Sequence, residues 1–322
     1  MSEKKITYLD AISQAMREEM LRDEAVLLIG DDPDAYAGTF KSNALEEFGS
    51  ERVLNIPMSE AMIIGSAVGA ALMGMRPIAE MRFLDFITSG FDQLIDMATR
   101  MHWRAGSPFP LVVRGFSGGS VRPANQEVFS FQMPGIKVVV PATTYDAKGM
   151  LKAAVRDDNP VLYLEHKHLY RMPQLREELP LEDYIVPLGK AIIRREGQDM
   201  TILTYGAMVH HCLRAAQVLE ENDDLEVEVL DLRSLSPLDR DAIIESVKRT
   251  NKVLIVHEDI LTEGIGAGLA ALVSKDLFEY LNGPIAQVAT SPLPFPSMPP
   301  AKAPYVPNAE KILSAARVLA AY

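Results

Sequence analysis

In MSEAMIIGSAVGAALMGM, residues 58–75, one carboxylate, Glu60, opens a run of small and apolar residues with no cation close by in sequence. An unpaired carboxylate in apolar surroundings is costly, so its presence there calls for a reason. Flanked by Met58, Met62, Ile63 and Ile64, its ionised form is disfavoured, which suits a group that gives and takes a proton near neutrality. The other reading is a tightly packed helix whose first-turn glutamate merely complements the helix dipole. Ala61, Gly65, Gly69 and Gly74 keep most of one helix face flat, so a second backbone or a flat ligand can come close. The residues by themselves leave both readings open.

Other chemistry-bearing residues have plainer explanations. GFSGG, residues 115–119, follows a plausible strand and matches the G-x-S-x-G pattern, with Ser117 as a hydrolase nucleophile. A nucleophile elbow needs a helix directly behind the serine. VRPANQ, with Pro123, has no helical period, so a glycine turn is the stronger reading. GIGAGLA, residues 264–270, has the wrong spacing for a dinucleotide fingerprint and reads as a tight strand-to-helix turn. His166 with His168, and His210 with His211, lack the carboxylate or cysteine company of a metal site and read as solvated or packing histidines.

The elements that must position Glu60 follow from patterning. Runs of β-branched residues alternate with helical periodicity along the whole chain, the pattern of an α/β protein with open, mainly parallel sheets. AVLLIG, RVLNIP, RPIAEMR, PLVVRG, KVVVPA and PVLYLEH read as strands, and Ser59 can cap the helix that Glu60 begins. DFITSGFDQLIDMATRMHW and YDAKGMLKAAVRD read as helices, as does the segment holding Leu9, Ile12, Met16 and Met20. Around residues 170–187 the pattern dissolves into YRMPQLREELPLEDYIVP, acidic and proline-bearing, which reads as a linker. Beyond it MTILTYG, EVEVLDL, KVLIVHE and IAQVAT read as strands, with helices near 207–219, 239–248, 265–281 and 308–321. The proline-rich SPLPFPSMPPAKAPYVP reads as a loop.

With 322 residues the chain exceeds one comfortable core, which favours two domains. A net charge of -12 opposes binding to nucleic acid or anionic membrane and leaves a small molecule or a protein as the partner. Cys212 is the only cysteine, which excludes an intrachain disulfide and a cysteine zinc cluster. The start, MSEKKITYLD, lacks the apolar stretch of a signal peptide, and the apolar run from Ala61 is too short to span a bilayer comfortably. A cytoplasmic protein is expected.

LLIGDD, NIPMSEAMIIGSAVGAALMGMRPIAEMRFLDF, FDQLIDMA, PGIKVVVPATTYDAKGMLKAAVRDDNPVLYLEHKHLY, PLGKAIIRREGQDMTILTYGAMVHHCL, VLDLRSLSPLD, VLIVHE and PFP, in this order, cover most of the chain. Together they resemble the β subunit of thiamine-diphosphate-dependent 2-oxo acid dehydrogenases of the pyruvate, branched-chain and acetoin type, with transketolase a more distant relative. The resemblance implies a pyrimidine-binding domain over 1–178 and a transketolase C-terminal-type domain over 188–322. It implies that Glu60 gives a hydrogen bond to the aminopyrimidine ring of thiamine diphosphate, activating the cofactor to form an enamine, or acyl-anion, intermediate. By the same match Met58 packs at the cofactor and Phe86 stacks on its pyrimidine. A potassium site of some members maps onto Leu111, Val112, Ala154, Asp157 and Asn159.

Two departures sharpen the expectation. The family holds diphosphate through magnesium on a Gly-Asp-Gly segment followed by an asparagine, and no such segment occurs here; GDDPD, residues 30–34, is not one. The resemblance therefore implies an α subunit that holds magnesium, in an α2β2 assembly. The family's dehydrogenases also carry a His-Ser-Gln-Ser loop whose histidine is associated with acyl transfer to lipoamide. Here that interval reads SVRPANQEVFSFQM, shorter and without histidine. Arg122, Asn125 and Gln126 fall in this acceptor region, with His102 near the same strand. Two fates follow: transfer to a lipoyl acyltransferase, or carbon-carbon bond formation with a carbonyl acceptor in a split transketolase-like or acyloin-forming enzyme. A non-catalytic scaffold subunit and a hydrolase built on Ser117 are the remaining alternatives.

Overall fold

A computed structural model describes residues 5–31, 44–81, 84–106, 108–117, 134–170, 172–262, 264–291 and 305–322, except the side chains of Asp85, His102, Trp103, Ala105 and Ser117. The described residues of Met1–Gly118 and Gln132–Leu188 form one compact unit, and those of Gly189–Tyr322 form a second.

The first unit is built on six parallel strands: β1 (Val26–Gly30), β2 (Val53–Asn55), β3 (Arg76–Met81), β4 (Leu111–Ser117), β5 (Lys137–Val139) and β6 (Pro160–His166). Their order within the unit is β5-β6-β4-β3-β1-β2. β1 and β6 are buried along their full length, as strands covered on both faces must be. Helix α1 (Tyr8–Arg22) starts at a capping box in which the Thr7 side chain accepts from the Asp10 amide, and the Asp10 carboxylate accepts from the Thr7 amide. It buries Leu9, Ile12, Met16 and Met20, the stripe read from the sequence, and packs against α5 (Thr144–Arg156). A short α2 (Ala44–Phe48) precedes β2, and α3 (Glu60–Leu72) leads into β3.

Helices cover both faces of this sheet. Tyr163 on β6 donates to the Ala147 carbonyl of α5, whereas Gly115, on the opposite face of β4, lies under Leu84. Thr143 caps α5 by accepting from the Asp146 amide at 3.2 Å. Thr143→Ala is expected to cost about 1 kcal/mol in urea denaturation, the usual loss for such a cap.

Two sequence expectations change here. The stretch read as one helix from Asp85 is a 3-10 helix (Leu84–Gly90), a π-helical turn (Gln93–Ala98) and then α4 (Thr99–Ala105). Its cause is a close approach: a Cβ on Gly90 would stand 2.6 Å from Ile64 Cδ1 and 3.0 Å from the Glu60 carbonyl oxygen. The acidic, proline-bearing segment before residue 188 packs onto the first unit rather than hanging free. Ile6 and Glu177 bridge antiparallel, Val186 donates to the Gly149 carbonyl, and Asp183 pairs with Arg156 and Lys152.

Among the described residues the sheet of the second unit has five strands in the order β12-β11-β8-β9-β7: β7 (Ile192–Arg195), β8 (Met200–Thr204), β9 (Val227–Asp231), β11 (Val253–Ile260) and β12 (Ala286–Thr290). Only the edge strand β7, unread in the sequence, runs antiparallel. A three-residue strand, β10 (Ser234–Ser236), follows β9 along the chain. Helix α6 (Met208–Asp223) packs with α9 (Ala309–Ala320), and α7 (Arg240–Thr250) with α8 (Ile265–Leu277). Cys212 is buried on α6, its thiol pushed up to about 12 by burial, and behaves as a small core residue. Among the described residues no helix is long and apolar enough to cross a membrane.

Candidate active-site crevice

From β1 the chain moves to β2 on one side and then returns to β3 on the other, so strand order reverses between β1 and β3. Open parallel sheets bind ligands at that switch point, beyond the carboxyl ends of the strands. Gly30 and Glu80 pair there, and a Cβ on Gly30 would meet the Glu80 Cβ and carbonyl oxygen at 3.3 Å. The main chain returns over this edge when Ile56 donates to the Gly30 carbonyl, four residues before Glu60.

Glu60 is the first residue of α3, half-buried, behind the N-cap Ser59, whose hydroxyl accepts from the Met62 amide at 3.4 Å. Among the described residues no cation pairs with its carboxylate. Ile63 and Ile64 are buried beneath it, but Met58 and Met62 are 66% and 54% exposed. Of the four apolar residues that flank it in sequence, two are therefore enclosed, and the other two leave apolar surface exposed among the described residues. Gly65 meets Gln93, and Gly69 faces open space, so the flat stripe of α3 is left partly bare.

Phe86 sits in the 3-10 helix that follows β3 and is 41% exposed. Gly90, four residues after Phe86 at the end of that helix, lies against the Glu60 main chain. The Ile64 tip can rotate away from an added methyl, but the Glu60 carbonyl cannot. Gly90→Ala is expected to weaken ligand binding in the crevice by about 1 kcal/mol, roughly fivefold, in a calorimetric titration.

Behind the crevice lies a cluster that the sequence reading did not single out. Arg114 on β4 donates from Nε and Nη2 to the two oxygens of Glu165 on β6, at 2.7 and 2.8 Å, and from Nη1 to Glu80 on β3 at 2.6 Å. The Tyr170 hydroxyl donates to Glu165 at 2.6 Å. Burial works against the Arg114 charge, but Glu165 and Glu80 outweigh it and strengthen its hold on the proton; the same burial raises the Glu165 pKa, with Arg114 opposing. The available signal was one charged residue inside each of three apolar strands, PIAEM, LVVRG and VLYLEH.

The residues matched to a potassium site come together at the amino ends of the strands, away from the crevice. Leu111 and Val112 begin β4, opposite Pro160 and Val161 of β6, and Asp157 follows α5. Burial would raise the Asp157 pKa, but Lys137 and Asn159 outweigh it and hold the carboxyl below its usual range. Lys137 Nζ lies 2.5 Å from one carboxylate oxygen, and Asn159 donates to the other twice at 2.9 Å. Arg76 takes the Val155 and Asp157 carbonyls, and the Asp157 amide takes that of Ala154. Protein donors thus reach the Ala154 and Asp157 members of this set, and potassium enters no step below. Among the described residues no three His, Cys, Asp or Glu side chains converge as metal ligands.

Arg122, Asn125 and Gln126 lie outside the described residues, as do the side chains of His102 and Ser117 and most of the GDDPD segment. His166, read as a packing or solvated histidine, is buried at the end of β6, and its Nδ1 accepts from the His168 amide.

Comparison with known proteins decides the family. Residues 4–173 match the transketolase pyrimidine binding domain, and residues 189–312 the transketolase C-terminal domain. The chain is 43% identical over 327 residues to the 2-oxoisovalerate dehydrogenase subunit beta of Bacillus subtilis (strain 168), covering 98% of this chain and 99% of that one. It is 40% identical over 321 residues to the pyruvate dehydrogenase E1 component subunit beta of the same organism, covering 97% and 98%. This chain belongs to the E1 β family of 2-oxo acid dehydrogenases. The E1 β chain also shares its fold with a split-gene transketolase solved as an inactive β4 tetramer, at a TM-score of 0.82 and 20% identity over 98% of this chain and 99% of the other. A transketolase from Leishmania mexicana matches at a TM-score of 0.71 and 17% identity, over 100% of this chain and 46% of that longer one.

Proposed function

We propose that this chain is the cofactor-activating β subunit of a thiamine-diphosphate-dependent enzyme acting on 2-oxo acids, with Glu60 as its catalytic carboxyl. The observation that supports this reading is the approach of Gly90, at the end of the 3-10 helix that carries Phe86, to the Glu60 main chain at the start of α3, near the point where strand order reverses. When bound, thiamine diphosphate supplies the electron sink that lets a 2-oxo acid lose carbon dioxide. Glu60 would hold a proton toward the aminopyrimidine nitrogen and take it back; among the described residues no cation pairs with its carboxylate. Phe86 offers its exposed ring as a stacking face, and Met58 packs beside it. Pyrimidine binding falls to residues 1–178, with the transketolase C-terminal-type domain over 188–322.

The crevice fits one part of the cofactor only. Its residues suit an aromatic ring, but the chain offers no Gly-Asp-Gly segment for the magnesium-bound diphosphate. An α subunit supplies that half, closing over Met58, Met62 and Phe86 in a cytoplasmic α2β2 assembly and burying the apolar surface they leave exposed. A titration of thiamine diphosphate tests this: tight binding to the co-expressed pair and weak binding to this chain alone are expected. Tight binding by the isolated chain contradicts it.

A second reading concerns the acceptor. The interval SVRPANQEVFSFQM has no histidine, which favours a carbonyl acceptor, as in a split transketolase-like or acyloin-forming transferase, over a lipoyl acyltransferase. Arg122, Asn125, Gln126 and His102 are the groups proposed for that acceptor region. Turnover of a 2-oxo acid with an aldehyde but not with lipoamide supports it; the reverse restores the dehydrogenase.

A further inference from the structure

The Arg114 cluster is not explained by stability. A buried ion cluster is generally no more stable than an apolar filling of the same volume, whereas its half-broken forms are much less stable. Its location suggests another use. Arg114 is 1% exposed and Glu165 is fully enclosed, but the Glu80 side chain, at 13%, keeps some contact with solvent. Glu80 is the member that pairs with Gly30 at the switch point, one residue before β3 ends. The 3-10 helix that carries Phe86 begins at Leu84, four residues after Glu80 in sequence. Gly115, next to Arg114, supports the start of that helix: a Cβ there would stand 3.4 Å from both Leu84 Cδ1 and the Met81 carbonyl oxygen.

One guanidinium therefore fixes the carboxyl ends of β3, β4 and β6, with Tyr170 bracing the far side. We propose that Arg114 is a positioning residue, which acts through Glu80 to set the end of β3 and hence the direction in which Phe86 meets the cofactor ring. This inference rests on the thiamine diphosphate reading above. A planar two-pronged contact plus a third bond on the remaining nitrogen holds direction as well as distance, which lysine cannot imitate.

The test uses the assembled complex and two measurements, cofactor affinity by calorimetry and thermal melting without cofactor. Glu80→Gln keeps the shape but removes the charge that Arg114 grips. It is expected to raise the Kd for thiamine diphosphate about tenfold, with the KM for the 2-oxo acid unchanged at saturating cofactor. Tyr170→Phe loses a bond of the same cluster two strands away from the crevice, and is expected to lower the melting temperature while leaving the Kd unchanged. Arg114→Lys should weaken binding at least as much as Glu80→Gln; if it does not fold, the other two variants still decide. Wild-type affinity in Glu80→Gln, or equal weakening in Tyr170→Phe, reduces the cluster to a structural role and overturns the inference. A wild-type complex that takes up no thiamine diphosphate removes the underlying reading, and this inference with it.

Discussion

Replacing Glu60 by Gln in the assembled complex is expected to lower 2-oxo acid turnover by roughly 100- to 10,000-fold, the range for loss of a positioned acid-base group. Cofactor affinity should change much less, because the amide keeps the length of the side chain and can still hydrogen-bond the ring nitrogen. What the amide cannot do is pass a proton. Glu60 stands at the first turn of α3, and among the described residues no cation pairs with its carboxylate. Steady-state turnover at saturating cofactor, beside a calorimetric Kd, separates the two effects. Unchanged turnover would leave this chain as a scaffold whose partner does the chemistry.

The second prediction lies in the second unit and concerns pH. Asp259 is buried where β11 leads to α8, its oxygens accepting from the Ile260 and Ile265 amides, and burial lifts its pKa from 3.8 to about 6. A folded pKa above the unfolded value means that the folded chain binds the proton more tightly. The penalty for ionised Asp259 therefore grows as pH rises from about 4 and is complete above about 6, at roughly 3 kcal/mol. His257, buried nearby on β11, has the opposite sign: burial lowers it from 6.5 to about 4, so stability is lost as pH falls through that interval. Asp259→Asn removes the charge but sacrifices one acceptor, a loss of about 1 kcal/mol. The variant should thus be more stable than wild type at pH 8 and less stable at pH 4, a reversal measurable by urea denaturation at the two pH values. A difference independent of pH would show that the buried carboxyl is not paying a charge penalty.

Much of the fold was legible because the two periodicities of strand and helix are strong here. Ser59 followed by Glu60 and the small-residue run marked the start of α3, and the stripe Leu9, Ile12, Met16 and Met20 marked α1. What stayed hidden depends on partners far away in sequence. The stretch from Leu84 has helical spacing throughout, yet Gly90 must approach the Glu60 carbonyl thirty residues earlier, and that contact divides the element. The segment at 170–187 has the composition of a linker, but Tyr184 stacks on Tyr145 with ring centroids 4.4 Å apart and Asp183 pairs with Arg156. Burial and ion pairing fix it to α5, and neither is visible in local composition.

The candidate site divides in the same way. Glu60 stood out because a single carboxylate in an apolar run is anomalous on its own. Glu80, Arg114 and Glu165 did not, since each is one charge in its own strand and only the sheet register brings them to one guanidinium. The open flank at Met58 and Met62 could not be read either, because apolar residues in sequence give no indication of whether their cover comes from the same chain or from another.

Hydrogen exchange at the thiazolium C2 of bound thiamine diphosphate, followed by proton NMR after acid quench of the assembled complex in deuterium oxide, tests the role proposed for Glu60 most directly. Fast exchange in the wild-type complex, falling in Glu60→Gln to the rate of free cofactor, is the predicted result. Equally fast exchange in both would contradict it, because the proton would then leave without help from Glu60.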